Sequence, residues 1–232
     1  MNLLTVFALV LGLTAAWYHK KLIIDYLEPF ARLEHSCVII TPPGMGKTAL
    51  VIATCIYIFI LDPNSHIIIL SNADSLASMI VRNVLWALQS EAVQAVRNVA
   101  FKKAGETEFT IAGNDGRPSC LSSGTRSVLV GARATHLIVD DGIKDQDQCL
   151  SQTMEKIWSN YTQVAESRIV AGGQVLVVGT RWGLNDLIGR IVRRAQKHRE
   201  ARQFRVINLA LTNTTGRDSY EFDTREGGGE FQ

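Results

Sequence analysis

The chain has 232 residues, 47% hydrophobic and 20% charged, with a net charge of +2. That length builds one sizeable core but is too short for two full α/β domains, and so mild a charge is no argument for nucleic acid by itself. Cys37, Cys55, Cys120 and Cys149 are scattered without a C-x-x-C pair, which excludes zinc-site spacing and a small disulfide framework and points to reduced thiols.

Leu3 to Trp17 is almost wholly apolar, and no charged side chain precedes Lys20. A membrane span needs about 20 apolar residues, and a signal peptide wants a basic residue ahead of its apolar stretch. A packed N-terminal helix is therefore the expectation. A signal or anchor is the alternative, since Thr14-Ala15-Ala16 imitates a cleavage site.

Cys37-Val38-Ile39-Ile40 is a β-rich run leading into a Gly/Pro loop. Thr48 to Leu61 reads as a helix apolar nearly all round, hence buried on several sides, and Asp62-Pro63-Asn64 stops it. His66 to Leu70 is a second strand. Asp74 is the expected N-cap of a long helix with Leu76, Met79, Ile80, Val84 and Leu88 on its apolar face. Phe109-Thr110-Ile111 and Val128-Leu129-Val130 read as short strands around the turn-rich Gly113-Asn114-Asp115-Gly116.

Leu137-Ile138-Val139 is a buried-type strand ending in two aspartates. Ser151 to Arg168 reads as helix, Gln174 to Val178 as strand, Asn185 to about Arg202 as helix, and Phe204 to Leu209 as a last strand. Such alternation implies an α/β domain with a mainly parallel sheet and helices on both faces. The expected organisation is an apolar segment over residues 1–16, the domain over 17–210, and a polar, glycine-rich tail or truncated linker over 211–232.

Thr41-Pro42-Pro43-Gly44-Met45-Gly46-Lys47-Thr48 follows a strand and opens a helix, the context a phosphate-binding P-loop requires. Gly44 and Gly46 let backbone N–H groups turn towards phosphate, and the helix N-terminus adds favourable dipole charge. The expected nucleotide contacts are Pro43, Gly44, Met45, Gly46, Lys47, Thr48 and Ala49. Lys47 reaches the β- and γ-phosphates and Thr48 ligates Mg²⁺. Thr41 stands where the general motif has its first glycine.

Asp140 and Asp141 end a central strand, at the sheet edge where open α/β sheets bind ligands. Asp140 suits the Mg²⁺ shell, directly or through water, and Asp141 suits orienting and deprotonating the attacking water. Asp-Asp-Gly is also plain turn chemistry. Gly179-Thr180-Arg181-Trp182 ends another apolar strand on the same expected edge. Thr180 is the expected γ-phosphate sensor; Arg181 reads either the nucleotide, with the chain's own favoured, or the next domain, while Trp182 reads as packing. Arg133, in the loop before the acidic strand, is the candidate for acting on a neighbour's site or for a surface ion pair.

Together these segments resemble the large terminase subunits of tailed phages over roughly residues 17 to 210. Tyr18-His19 lies upstream of a loop similar to the family's Pro-Pro-x-x-Gly-Lys-[Ser/Thr]. Ser71-Asn72 resembles the end of the second strand in such motors. Gly131-Ala132-Arg133-Ala134-Thr135-His136-Leu137-Ile138-Val139-Asp140-Asp141-Gly142-Ile143-Lys144-Asp145 looks like the family's acidic motif. Trp158, Tyr161 and Gly172-Gly173 precede Gly179-Thr180-Arg181-Trp182. Asn185-Asp186-Leu187 and Gly189-Arg190 then complete a pattern similar to Thr-Arg-Trp-x-x-x-Asp-Leu-x-Gly-Arg.

The resemblance implies a RecA-like P-loop NTPase of the ASCE type that uses ATP and Mg²⁺ to drive double-stranded DNA into a procapsid. It implies a portal protein, a small terminase subunit and self-association into a ring as partners, and the host cytoplasm as location, with no stable membrane association. The chain departs from the family at Gly44 or Met45, where an arginine is common, at Gly142 for proline, and at Asp141, where many packaging motors use glutamate. Asp218, Glu221 and Asp223 follow with no fold expected to hold a nuclease metal pair, so DNA cleavage is not expected.

Arg190, Arg194 and Lys197 fall roughly on one helical face, with Arg193 beside them. They read either as a DNA-phosphate stripe or as a solvated helix face. Two rival functions remain: another P-loop ATPase such as a helicase-like half, or a low-turnover nucleotide-binding scaffold.

Overall fold

The computed structural model describes residues 1–127, 132–150, 152–209 and 220–226. In chain order the strands are β1 (Ser36–Ile40), β2 (Ile67–Ser71), β3 (Phe101–Ala104), β4 (Glu108–Ile111), β5 (Cys120–Gly124), β6 (Ala134–Asp140), β7 (Ile169–Gly179), β8 (Phe204–Asn208) and β9 (Tyr220–Asp223). Among the described residues they form one sheet, ordered β3-β4-β5-β2-β6-β7-β1-β8-β9. The six strands from β5 to β8 in that order are mutually parallel, while β3, β4 and β9 are antiparallel additions at its two edges.

Side chains alternate across each strand, and the two faces support two separate cores. Cys37 and Ile39 join a core with helix Lys47–Leu61, helix Asp74–Leu88 and the N-terminal segment. Val38 and Ile40 join a second core with the helical stretch from Gln152 and with helix Leu187–Lys197. The expected α/β sheet with helices on both faces is observed.

Helix Lys47–Leu61 is buried at every position from Leu50 to Ile60. Its all-round apolarity follows from its position: the sheet lies on one side, helix Asp74–Leu88 and N-terminal helical turns on the others. The N-terminal stretch does pack, though not as one helix. Leu3–Thr5 and Val6–Val10 form short helical turns, Gly12 turns the chain at φ 65°, and a second helical run begins at Trp17. Leu3, Val6 and Phe7 enter the core, whereas Leu9 and Trp17 stay exposed. No helix among the described residues is long and apolar enough to cross a membrane.

Several expectations are corrected. Asp74 is the first helical residue rather than the cap; its carboxylate instead accepts the Gly124 N–H and the Ser127 hydroxyl. Leu76 faces outward, and Ala77, Val81 and Leu85 take the buried face with Ile80, Val84 and Leu88. The helix expected over 185–202 is shorter, Leu187–Lys197: Asp186 caps its start by accepting the Gly189 N–H, and the extended backbone of His198 ends it.

Nor is β8 the last strand. Tyr220–Asp223 pairs with it, so Glu221 and Asp223 belong to an edge strand rather than to a loose tail. There Glu221 accepts from Tyr26 and Lys21, and Asp223 pairs with Arg225. Val128-Leu129-Val130, Ser151, Asp218 and the terminal glycines lie outside the described residues.

Candidate active site

Parallel pairing brings the C-terminal ends of β1, β6 and β7 to one edge, and two backbone bonds lock them there. Thr41 N–H donates to Gly179 O at 3.1 Å, and Asp141 N–H donates to Val178 O at 2.9 Å. Above this edge lies a cavity of about 360 Å³ lined by the loop 43–49, less Met45, together with Asn72, Asp141, Lys144, Thr180 and Trp182. Pro43, Gly44, Gly46, Lys47, Thr48 and Ala49 thus reach the expected place. Met45 instead turns its carbonyl towards His19.

The loop needs its glycines. Gly44 and Gly46 sit at φ 81° and 72°, in the left-handed region that side chains disfavour. Gly46 is also the residue from which helix Lys47–Leu61 starts.

Lys47 is buried, and its ammonium donates to Thr180 Oγ1 at 3.0 Å and to the carbonyls of Pro42 and Thr41 at 3.2 and 3.4 Å. Asp141 Oδ2 lies 3.7 Å away. The cation is therefore held over the cavity by neutral oxygens and one partly exposed carboxylate.

The two aspartates differ in surroundings. Asp140 is buried, and its Oδ2 accepts the Thr48 hydroxyl at 2.8 Å. Its Oδ1 is buried without a hydrogen-bond partner. Burial pushes the Asp140 carboxyl up to about 6, with the Asp141 charge adding to the rise and the Thr48 hydroxyl and Lys47 cation opposing it. Asp141 faces the cavity from a left-handed backbone, φ 43°. Its Oδ1 accepts the Thr180 N–H at 3.1 Å, and Asn72 Nδ2 donates to its carbonyl at 2.9 Å.

The remaining residues divide. Thr180 joins the site as expected, but Arg181 turns away from the cavity. Its Nε donates to Asp186 Oδ2 at 2.9 Å and its Nη2 to Gly183 O at 3.0 Å. Asp186 is buried and also receives the N–H groups of Trp182, Gly183 and Gly189, so the pair fixes the turn after β7. Arg133 is exposed at the N-terminal end of β6, the opposite edge of the sheet from Asp140. A contact from Arg133 to its own chain's cavity is thereby excluded.

Arg190, Arg193, Arg194 and Lys197 do line one surface groove, of about 680 Å³, beside Trp158. Arg190 and Arg194 are paired there with Glu155 and Glu166, and Arg193 bonds the neutral Asn185 amide oxygen. The stripe is real, with two of its four cations compensated by a carboxylate at short range.

Asn72 and His19 belong to the site's framework without having been given a role from sequence. Each stands next to a recognisable segment, but only strand pairing and chain folding show what it touches. No family model matches the chain, and no curated protein matches it significantly.

Proposed function

We propose that the chain is an ATP-hydrolysing P-loop domain of the RecA-like, ASCE type. The observation that carries this reading is the convergence of Lys47, Thr48, Asp140, Asp141 and Thr180 around one cavity at the C-terminal sheet edge. The order β8-β1-β7-β6-β2, with a single strand between the loop strand and the acidic strand, supports the same class.

In this reading Lys47 exchanges the carbonyls of Thr41 and Pro42 for β- and γ-phosphate oxygens. The residues fit a magnesium ion: Asp140 has a buried, unpartnered Oδ1, and the Thr48 hydroxyl lies against its other oxygen. Bound there, Mg²⁺ would neutralise charge on the phosphates. Asp141 orients the attacking water and takes its proton. Its carboxylate is aimed by the Thr180 N–H and its backbone is held by Asn72. Thr180, between Lys47 and Asp141, senses the γ-phosphate.

By resemblance to large terminase subunits, hydrolysis drives double-stranded DNA into a procapsid, in the cytoplasm of an infected bacterium. A ring of these chains would work on a portal protein with a small terminase subunit. The grooved face bearing Arg193 and Lys197 is the surface offered to DNA phosphates.

Phosphate release and nucleotide binding test the proposal together. Parent protein should hydrolyse MgATP, Lys47→Ala should lose tight binding, and Asp141→Asn should bind without turning over. A parent that binds no MgATP, or an Asp141→Asn variant that hydrolyses at the parent rate, overturns it.

A further inference from the structure

His19 is buried beneath the phosphate loop, 26 residues before Met45 in sequence. Its Nδ1 accepts the Ala16 N–H at 3.1 Å. A backbone N–H can only donate, so Nδ1 carries the lone pair and Nε2 carries the proton. That Nε2–H faces Met45 O at 3.1 Å and donates to it.

The consequence lies in the peptide unit itself. In a trans peptide the carbonyl and the following N–H point in opposite directions. Holding the Met45 carbonyl towards His19 turns the Gly46 N–H away from His19, towards the cavity that Gly46 lines. A flipped Met45–Gly46 unit would offer an incoming anion an oxygen instead. The two groups are also close packed: a Cβ on Gly46 would stand 3.1 Å from His19 Nε2.

The ring is itself held. Tyr18 and Phe7 pack on it with ring centroids at 4.2 and 5.0 Å, and Phe7 is anchored in the core with Leu3 and Val6. The apolar N-terminal run thus ends on the phosphate loop.

We propose that His19 is a positioning residue of the phosphate site. It fixes the Met45–Gly46 peptide so that its N–H faces bound phosphate, and the packed N-terminal turns serve to hold the imidazole. This inference rests on the reading of the cavity as a nucleotide site.

MgADP affinity, measured by displacement of a fluorescent ADP, tests it with two substitutions. His19→Phe keeps a ring but removes the donor. His19→Gln keeps an N–H at similar reach. Loss of one hydrogen bond that orders the loop should weaken MgADP binding about three- to tenfold in His19→Phe. His19→Gln should stay within about twofold of the parent, since it retains the bond. A merely structural histidine would lower the melting temperature of both variants and leave the affinity of the folded protein unchanged.

A parent that fails to bind MgADP sinks the nucleotide reading, and this inference with it. A parent that binds, with His19→Phe equally tight or both variants equally weak, overturns the role of His19 alone. Amide exchange on the parent decides the matter if His19→Phe does not fold. MgADP should slow exchange at Ala16 together with the loop, and an unchanged Ala16 amide overturns the proposal.

Discussion

The Thr48 hydroxyl donates to Asp140 Oδ2 at 2.8 Å, while the carboxylate's other oxygen is buried with no hydrogen-bond partner. The arrangement is half-satisfied and its cost depends on pH. Burial holds the folded Asp140 carboxyl near 6, against an ordinary value of 3.8. The native state therefore binds this proton more tightly than the unfolded state. Stability from this group falls as pH rises from about 4 to about 6, and the full penalty, about 3 kcal/mol, is present above that.

Ligand-free Asp140→Asn should accordingly be more stable than the parent at pH 8, by about 2 kcal/mol, with the difference closing near pH 4. His136 acts oppositely in the same window: burial pushes its ring down to about 4, so its contribution is lost as pH falls from 6.5. Urea unfolding of parent and variant side by side cancels that histidine. A gap that is equal at pH 8 and pH 4.5 would contradict the assignment.

Asn72 and Asp141 give the second expectation. Asp141 holds a left-handed backbone with Asn72 bonded to its carbonyl. Asn72→Ala should release that turn and misaim the carboxylate, lowering kcat about 10- to 100-fold and moving KM little. Steady-state hydrolysis separates the two constants. A change in KM alone would assign Asn72 to nucleotide binding.

The third concerns Arg181 and Asp186, a pair 2.9 Å apart with almost no exposure on the aspartate. Asp186→Ala removes the cap of helix Leu187–Lys197 and strands a guanidinium, and should cost about 3–5 kcal/mol in urea unfolding. Arg181→Met should fold and keep hydrolysis within a few-fold of the parent, because the arginine already turns away from the cavity. A collapse of kcat in folded Arg181→Met would restore the direct nucleotide contact expected from sequence.

That arginine shows where sequence reading stops. Apolar runs such as Cys37–Ile40 and Leu137–Val139 declare buried strands, and the loop before Lys47 and the acids after Val139 declare one sheet edge. Their convergence was legible because parallel strands end together. β3 was not legible, since Phe101-Lys102-Lys103-Ala104 is a largely exposed edge strand with lysines in place of a buried face. Neither was β5, where Cys120-Leu121-Ser122-Ser123-Gly124 carries few β-branched or aromatic side chains. The direction a long side chain takes, as at Arg181, is set by a partner five residues on and leaves no period in the sequence.

Arg133 supplies the last expectation. It precedes β6, and Asp140 ends that strand, so the two lie on opposite edges of the sheet. At about 3.3 Å per residue the separation is roughly 20 Å, more than an arginine side chain spans. The exposed guanidinium lines a recess with His66, Asp115 and Arg117, far from Lys47. Monomeric Arg133→Ala should therefore hydrolyse ATP at the parent rate. Any catalytic role must be played in a neighbouring chain's site, where an arginine supplied in trans is worth roughly 10³–10⁵ in rate. In assembled protein, Arg133→Ala and Asp141→Asn should each be impaired, and their mixture should regain activity wherever an intact arginine meets an intact acidic site. A slowed Arg133→Ala monomer would contradict the opposite-edge placement. No recovery in mixtures shown by sedimentation to be co-assembled would remove Arg133 from the mechanism and leave it a surface charge beside Asp115.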